Sequence, residues 1–565
     1  MQTFKKTTVA AAIVLSMSAF AAQADETATS TPTNPTLAEF QKGFSGQTFT
    51  DGAFTIANSA AVDPGAQYVN NTRTAAPDDG CVYGGVFYTY SKDNEFVLTF
   101  DEAVFSGNKV INTGNGGISA GGAALLKGTS STDSHTFVDT LFVNNQAIAQ
   151  NDKVMAGGGA LYLDATKNTG INRASTATIV TTHDMTYVGN AVTSNDNGRW
   201  YELCGSLGQS GGGFAYLDRM SELTFDVQGG TLTIGAAGAA DASVDSIQSS
   251  IVATNGDASS IVKTGEGALV INSDFSQFYG KLDVRAGSVT IARDAKIWNG
   301  WTVSDGELHL ADVELGQIQT GSFGTFVQPG RDSKEIVFEV KSGSVGKLTI
   351  TGGGVTADSI TISGSGVADF KDKGTLEESG YGIDISGGSL TTGTLTLGKG
   401  GRVAISDSGL VSIGTLVATD ASKGAFSMKA GTLDLTAEQV FGVNEETQAL
   451  NTTMKDVFSV TGGTLDFSDE SFDTKWLDAV TKGKDFVIVA GTVVDEDGST
   501  LDAVGIDDLK KNVVYGSATL ETTPADGAIS IGVSNSGVQN ISSGEPISSV
   551  AITETSRLLV TERRL

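Results

Sequence analysis

The chain has 565 residues, of which 72 are glycine and only 7 are proline, and its 65 acidic and 36 basic residues give a net charge of −29. This charge excludes general nucleic-acid binding, because such binding depends on Lys and Arg side chains that neutralise phosphates. Hydrophobic residues make up 39% of the chain and charged residues 18%, which argues against disorder over most of its length. Scarce proline suits dense strand pairing, since proline cannot donate a hydrogen bond to a β-ladder.

Residues 1–24 are predicted to form a secretory signal peptide. They combine a positively charged start, an apolar core over residues 9–22 and the small-residue cleavage site Ala22-Gln23-Ala24. No later segment is apolar enough for a membrane-spanning helix, which needs about 20 residues. The Thr- and Ala-rich residues 25–49 are predicted to be a mobile lead-in.

Two interleaved motifs repeat within residues 50–217. Glycine pairs begin at positions 84, 121 and 158, and a Phe-x-x-Asn motif begins at 105 and 142, so both motifs share a spacing of 37 residues. A Tyr-x-x-Asn variant at 187 and a glycine pair at 212 continue the series. Repeats of this kind predict stacked coils that bury their apolar faces against each other.

The two motifs predict different roles in a stacked coil. We expect the aromatic residues to stack in the core. We expect the asparagines to occupy bends with a left-handed backbone, where their amides form a ladder between coils. A receptor-binding surface is the less favoured alternative for the motif residues, which are Phe105, Asn108, Phe142, Asn145, Tyr187 and Asn190.

Residues 191–210 interrupt this repeat and are predicted to form a loop that projects from the coils. The loop carries Arg199, Trp200 and Tyr201, residue types that are common in binding hot spots, and loops on rigid scaffolds often carry function. We therefore name these three residues as a candidate binding loop. The equally weighted alternative is a loop that packs its aromatic side chains back onto the coils.

A second repeat occupies residues 218–470, with the form Gly-x-Leu-x-Leu. Its clearest copies begin at Gly267 and Gly287, 20 residues apart, and each continues with apolar residues at alternate positions. This alternation predicts short strands with one buried face. Residues 471–535 are predicted to be an irregular strand-rich cap, and residues 536–565 a polar linker with the start of a helix.

Both repeats resemble those of one class of exported bacterial protein. The run that begins KTGEGALVIN at residue 263 resembles the passenger-associated repeat of autotransporters, and the resemblance covers about residues 225–470. The Phe-x-x-Asn and Gly-Gly repeat resembles that of polymorphic outer-membrane proteins. The resemblance implies an all-β fold, a right-handed parallel β-helix with a strand-rich C-terminal cap.

The same resemblance implies a passenger at the cell surface or outer membrane, or secreted. Such a passenger acts as an adhesin or display stalk, and its partner is a ligand on a host cell or matrix. A complete autotransporter also ends in a translocator barrel, for which the residues after 546 leave no room. We expect a truncated gene, or otherwise a passenger held by a separate barrel.

No enzymatic activity, cofactor or metal is expected. Gly208-Gln-Ser-Gly-Gly212 formally matches a nucleophile elbow but lies in a Gly/Ser tract, not on a strand-to-helix turn. The three histidines, at 135, 183 and 309, lack metal-ligand spacing. Two alternatives stay open. One is an inert spacer, and the other is a polysaccharide lyase or glycosidase, which requires carboxylates and a Lys or Arg base that converge on one groove.

Cys81 and Cys204 are the two cysteines of the chain. Export to an oxidising compartment permits a disulfide between them. Even stacking would place them about three repeats apart, whereas a bridge requires Cα atoms within about 7 Å. The bridge therefore requires the 191–210 insertion to fold back, and we favour the bridge over two free thiols.

Overall fold

The computed structural model describes residues 34–522, with internal gaps. The predicted signal peptide and the linker with its helix lie outside the described residues. The gaps are at 51–53, 57–58, 76–80, 91–96, 129–133, 166, 169–170, 173–174, 196–197, 204–205, 239–240, 253–257, 319–320, 324–337, 341–343, 367–371, 374–381, 419–420, 422–423, 437–438, 441–456, 474–486 and 495–518.

The described structure is built almost entirely from short β-strands. One helix, α1, spans Leu37–Lys42. The strands of the N-terminal part are β1 Gly43–Ser45, β2 Thr48–Phe49, β3 Thr55–Ile56, β4 Ala60–Ala61, β5 Gln67–Val69, β6 Thr72–Ala75, β7 Val82–Tyr83, β8 Phe87–Thr89, β9 Val97–Asp101, β10 Val104–Ser106, β11 Lys109–Asn112, β12 Ile118–Ala120, β13 Ala124–Gly128, β14 Ser134–Val138, β15 Leu141–Val143, β16 Gln146–Ala149, β17 Met155–Gly157, β18 Leu161–Ala165, β19 Lys167–Asn168, β20 Ile171–Asn172, β21 Thr176–Thr181, β22 Met185–Tyr187, β23 Ala191–Thr193, β24 Tyr201–Leu203, β25 Ser206–Gly208, β26 Ala215–Leu217, β27 Glu222–Val227, β28 Thr231–Ile234 and β29 Ile247–Ser249.

The C-terminal part continues in the same way, with some longer strands. These strands are β30 Ile251–Val252, β31 Ser260–Thr264, β32 Ala268–Ile271, β33 Lys281–Val284, β34 Ser288–Ile291, β35 Ala295–Ile297, β36 Gly300–Val303, β37 Glu307–Ile318, β38 Gly321–Phe323, β39 Phe338–Val340, β40 Ser344–Val345, β41 Lys347–Ile350, β42 Gly354–Gly366, β43 Asp372–Lys373, β44 Gly382–Ile385, β45 Ser389–Leu397, β46 Arg402–Ile405, β47 Leu410–Ala418, β48 Phe426–Met428, β49 Thr432–Asp434, β50 Phe458–Val460, β51 Thr464–Asp473, β52 Val487–Val494 and β53 Thr519–Thr522.

Equivalent strands of successive coils pair in parallel and form sheets that run along the stack. One sheet has 13 strands, in the order β4-β9-β14-β21-β27-β31-β33-β36-β41-β44-β46-β48-β50, and a second has 14 strands, from β22 to β53. Parallel pairing of this length is consistent with a parallel β-helix. The predicted all-β class is therefore confirmed. No helix among the described residues is long and apolar enough to cross a membrane.

The coils are wide in the N-terminal part and narrow in the C-terminal part. A wide coil uses five strands, such as β10–β14. In the regular wide coils register partners are 37 residues apart, as Lys109 and Gln146 are; the later wide coils are longer, since Gln146 pairs with Ala191. In the narrow coils Ala268 pairs with Ser288, a step of 20 residues. Among the described residues, four shorter parallel sheets belong to the wide coils alone. Two of them matter below: the flank sheet, β29-β26-β18-β13-β8-β3, and the outer sheet, β17-β12-β7.

The stack of aromatic rings in the wide coils is followed by an aliphatic column on the 14-stranded sheet of the narrow coils. In the wide coils the Phe105 ring stacks on Tyr68 at 4.7 Å and on Phe142 at 5.2 Å between ring centroids. In the narrow coils an aliphatic column takes over, because alternate residues of each strand face inward. That column contains Leu232, Leu269, Val289, Leu308, Val355, Leu390, Val411, Leu433 and Leu465, all buried.

Helix α1 closes the N-terminal end of the aromatic core. Its first turn has a capping box between Thr36 and Glu39, the arrangement that satisfies free N–H groups at a helix start. Phe40 is fully buried, and its ring centroid lies 5.4 Å from that of Tyr68. Ordered elements are thus present within residues 34–49, part of the predicted lead-in, because Phe40 covers apolar area that the first coil would otherwise expose.

The second glycine of each pair is required by close backbone approach between coils. A Cβ built on Gly122 would lie 1.9 Å from the carbonyl oxygen of Gly159, in the next coil. The equivalent Cβ on Gly85 would lie 1.9 Å from the Gly122 oxygen. No side chain fits at these distances, so the glycine pairs are part of the coil packing.

Candidate functional site

Four asparagines and one aspartate form a buried column, here called the asparagine ladder: Asn71, Asn108, Asn145, Asn190 and Asp245. Each asparagine Nδ2 donates to the side-chain oxygen of the next member, at 2.9, 2.9, 3.0 and 3.2 Å. Each Nδ2 also donates to a main-chain carbonyl oxygen. The ladder therefore satisfies polar groups that would otherwise be buried without partners.

The left-handed bend lies one residue before each ladder asparagine. The residues with positive φ are Asn70 (54°), Gly107 (66°), Asn144 (56°) and Gly189 (76°). This corrects the expectation that Asn108, Asn145 and Asn190 themselves adopt that backbone. A Cβ on Gly107 would lie 2.2 Å from Asn70 Oδ1, so an asparagine in one coil leaves room only for glycine in the next.

The aromatic motif residues are likewise fully buried. Phe142 lies between Phe105, stacked at 5.2 Å, and Tyr187, edge-on at 5.5 Å. Tyr187 Oη donates to the Thr140 carbonyl oxygen at 2.9 Å, which accounts for a tyrosine in place of a third phenylalanine. A ligand cannot reach these side chains, and a binding surface must lie elsewhere.

The insertion packs back against the coils. Tyr201 is fully buried and its Oη donates to the Val154 carbonyl oxygen at 3.3 Å, so it is not an exposed contact residue. Arg199 Nη1 donates to the Asp152 carbonyl oxygen at 3.2 Å, and the Trp200 ring lies 6.3 Å from that of Tyr279. Arg199 and Trp200 stay half-buried at the surface. The β24–β25 hairpin thus covers the point where the outer sheet ends, which protects open strand edges.

Cys81 is a free thiol in the structure, and Cys204 lies outside the described residues. The structure therefore gives no support to the predicted bridge. Burial raises the pKa of the Cys81 thiol, so the group is protonated at neutral pH. A protonated thiol is a poor nucleophile.

Side chains of the outer sheet and the flank sheet pack together in the wide coils. Buried residues from both sheets and from the insertion form a cluster, namely Ala120, Leu125, Met155, Tyr162, Tyr201 and Tyr216. Tyr83, Tyr88 and Ile118 pack against this cluster and are half-buried. We call the half-buried residues at its edge the tyrosine cluster; they are Cys81, Tyr83, Tyr88, Tyr90, Ile118, Lys127 and Asp164.

Three tyrosine rings form a short row in the tyrosine cluster. Tyr83, on the outer sheet, stacks against Tyr88 of the flank sheet with ring centroids 5.2 Å apart, and Tyr90 stacks against Tyr88 at 6.0 Å. Beside them Lys127 Nζ lies 3.2 Å from Asp164 Oδ2. These two residues are register partners in adjacent coils, so the strand pairing itself fixes the ion pair.

Two phenol groups of the tyrosine cluster are uncharged at neutral pH. Burial raises the pKa of Tyr88 to about 12 and raises that of Tyr83 as well, so both hydroxyls stay protonated. Lys127 and Asp164 form an ion pair beside them.

The chain has measurable similarity to one class of exported protein. It is 27% identical over 237 residues to "Probable autotransporter YfaL" of Escherichia coli (strain K12), a match that covers 40% of this chain and 17% of that protein. The chain is a distant partial homologue of an autotransporter. No family model matches the chain, and no solved structure matches it significantly.

Asp164 and Asp218, two described carboxylates on the flank sheet, do not form an accessible pair. Glycoside hydrolysis requires two accessible carboxyl groups that flank the scissile bond. Asp218 occupies the position equivalent to Asp164 in the next coil of the flank sheet, since Leu163 pairs with Leu217. The Asp218 N–H donates to the Leu163 carbonyl oxygen at 2.9 Å. However, Asp218 is buried, and its Oδ1 accepts hydrogen bonds from Ser250 Oγ (2.6 Å) and the Arg219 N–H (2.8 Å).

The sequence analysis did not identify the tyrosine cluster. A signal was present in residues 83–90, YGGVFYTY, where tyrosines at 88 and 90 alternate with buried residues. Alternation places both on the outer face of one strand. The sequence could not show that Tyr83, which precedes the glycine pair at 84, stacks against Tyr88 on that face.

Proposed function

We propose that this chain is an autotransporter passenger, exported to the cell surface or secreted, that acts as an adhesin. The observation that carries the proposal is the combination of partial homology to an autotransporter with long stacks of parallel strands. Its partner would be a molecule on a host cell or in the extracellular matrix. A stack of coils gives such a protein reach and a rigid surface.

The finer features of the fold belong to the same proposal. Parallel strands joined by a crossover are right-handed in about 98% of cases, which supports a right-handed β-helix. For a cap over residues 471–535, the support is that β52 and β53 extend only the 14-stranded sheet. The cap would then close the C-terminal end of the core, as α1 does at the other end.

The insertion is the part of the described surface that best supports adhesion. Arg199 and Trp200 are half-buried on it, and arginine and tryptophan are enriched in binding hot spots. Tyr201 ties the insertion to the coils, so these side chains are positioned before a ligand arrives, and such preorganisation lowers the cost of binding.

Adhesion can be tested with the purified full chain after removal of residues 1–24. Latex beads coated with the protein should adhere to cultured epithelial cells or to matrix-coated wells in a saturable manner, and soluble protein should compete. Beads coated with the Asn115→Ala variant, altered at an exposed position, serve as the matched control and should adhere equally. Adherence no greater than that of albumin-coated beads would refute the adhesin role.

Export is tested separately. The full chain expressed in Escherichia coli should be recovered outside the cytoplasm with Asp25 as its first residue. Recovery in the cytoplasm with residues 1–24 intact would contradict the predicted signal peptide.

A further inference from the structure

We propose that Asn299 is a self-modification site, at which the Asn299–Gly300 linkage converts to aspartate and isoaspartate without an enzyme. The site lies in the narrow coils, between β35 and β36. The proposal concerns the chemistry of the chain itself and does not depend on the adhesin function.

The Gly300 nitrogen lies against the side chain of the residue before it. Its N–H donates to Asn299 Oδ1 at 2.9 Å, and because Cγ is bonded to Oδ1, the same contact brings the nitrogen up to that carbon. Two groups that are held in contact and in one orientation react far faster than the same groups free in solution. The pair is therefore arranged for attack of the Gly300 nitrogen on Asn299 Cγ.

Glycine at position 300 favours the attack and is not required by the fold. A side chain at this position would crowd the attacking nitrogen, whereas glycine has none. Apart from the adjoining residues, no described heavy atom lies within 4 Å of the place where a Gly300 Cβ would stand, and its φ is outside the left-handed region. Gly300→Ala should therefore fold normally, which makes it a usable control.

The reaction needs only water. The Gly300 nitrogen loses its proton to solvent and bonds to Asn299 Cγ, the Cγ–Nδ2 bond breaks, ammonia leaves, and a cyclic imide remains. Water then opens the imide. Cleavage of the new N–Cγ bond gives aspartate, and cleavage of the original N–C bond gives isoaspartate, whose main chain runs through Cβ and Cγ. Asn299 and Gly300 are both half-buried, so water reaches the imide.

Isoaspartate at this position would disturb the coil. It adds one main-chain carbon between Trp298 and Trp301, whose surfaces are only 6% and 0% exposed. The Asn299 carbonyl oxygen also accepts a hydrogen bond from the Lys347 N–H in the next coil, at 3.1 Å. A closely packed interior accepts an added carbon only with strain, so the modified coil should open more readily.

A second Asn-Gly pair among the described residues is an internal reference. Asn115 precedes Gly116, and its Oδ1 accepts from Asn151 Nδ2 at 2.8 Å. That contact holds the Asn115 amide towards the next coil. The same dipeptide thus occurs with the side chain held in two different ways, and the ratio of the two rates reports the effect of geometry.

The test uses the purified full chain without residues 1–24, incubated at pH 8 and sampled over time. Peptide mapping by mass spectrometry measures conversion at each asparagine, and methyl transfer by an isoaspartyl methyltransferase measures isoaspartate. We expect Asn299 to convert about 10-fold faster than Asn115, which corresponds to a barrier lower by about 1.4 kcal/mol. Conversion should be slower at pH 6, because the attacking nitrogen must lose a proton.

One variant and one denatured sample separate geometry from sequence. Gly300→Ala, shown by circular dichroism melting to keep the wild-type fold, should convert at Asn299 about 10-fold more slowly than the wild type. In guanidinium chloride both Asn-Gly pairs are unfolded, and the two rates should converge. The proposal is overturned if Asn299 in the folded protein converts no faster than Asn115, if correctly folded Gly300→Ala converts as fast as the wild type, or if the preference for Asn299 is unchanged in guanidinium chloride.

Discussion

Removal of one rung of the asparagine ladder should open the wide coils locally. Asn145 Oδ1 accepts hydrogen bonds from the Asn108 N–H at 3.2 Å and Nδ2 at 2.9 Å. Its own Nδ2 donates to the Phe105 carbonyl oxygen at 2.8 Å and to Asn190 Oδ1 at 3.0 Å. Asn145→Ala removes all four bonds. Each buried group left unpaired costs about 1–3 kcal/mol, and because the groups are coupled we expect a total of about 3–5 kcal/mol.

Asn145→Asp tests the direction of the ladder with almost no change in shape. One carboxylate oxygen can still accept from Asn108, but the other replaces a donor and faces two carbonyl-type oxygens. The loss at pH 7 should equal or exceed that of Asn145→Ala. At pH 4 it should shrink, because a protonated carboxyl group regains one donor.

Hydrogen exchange measured by mass spectrometry suits this prediction, since a long stack of coils need not unfold in one step. Peptides from residues 104–149 should lose protection by the free energy given above, while peptides from the narrow coils keep theirs. Asn115→Ala is the matched control: Asn115 Oδ1 accepts from Asn151 Nδ2 at 2.8 Å, but both side chains are exposed, so the change should be within about 0.5 kcal/mol. Equal effects of Asn145→Ala and Asn115→Ala would refute the argument.

Three further outcomes follow from buried groups. Gly107→Ala should destabilise the same coils, because φ is 66° and the new Cβ would lie 2.2 Å from Asn70 Oδ1; unchanged exchange of residues 104–149 would contradict this. Burial lowers the pKa of Lys263 to about 8, below its unfolded value of about 10.4. The unfolded chain therefore binds more protons between these values, and stability of the narrow coils should rise with pH from about 8 to 10. Lys263→Met should remove that rise in urea unfolding followed by tryptophan fluorescence, and an unaltered pH slope would count against the role. Burial raises the pKa of Asp245 above its unfolded value, about 3.9. Its contribution to stability should therefore fall as pH increases from about 3.9 through the folded pKa, and Asp245→Asn should show no such fall when protection of residues 185–193 is measured from pH 3 to 7.

The sequence predicts features that repeat and misses those that depend on how separate sheets meet. A 37-residue spacing is enough to place Phe105 beside Phe142, since parallel coils of equal length bring equivalent residues together. The same spacing cannot tell which residue of the bend is left-handed, because Gly107 and Asn108 both suit that backbone. In the structure Gly107 has the left-handed backbone, and its neighbour in the preceding coil is the Asn70 side chain.

The candidate site was less predictable than the core. The insertion at 191–210 was visible as a break in the repeat, but whether Tyr201 projected or packed inward depended on Met155 and Tyr162, which lie in the preceding coil, and on Tyr216, which follows the insertion. Similarly, helix α1 follows from a Thr-x-x-Glu capping signal that spans one turn. A one-turn signal predicts a helix only when tertiary packing stabilises that helix, and here packing against the end of the aromatic core does so.

The asparagine ladder also bears on how such a chain could change length in evolution. Asn108 offers to the preceding coil the same oxygen acceptor that Asn145 offers to Asn108, and each donates to a carbonyl oxygen in the same relative position. The ladder contacts of the coils that carry Asn71, Asn108 and Asn145 are therefore equivalent. Loss of 37 residues, for example 104–140, would seat Asn145 directly against Asn71, but it would also place Asn144 against Asn70, where glycine is required. Exchange of coils in pairs would keep the alternation of asparagine and glycine at Asn70, Gly107, Asn144 and Gly189. Recombination between repeats could lengthen or shorten the molecule while α1 and Asp245 continue to close the two ends of the ladder region.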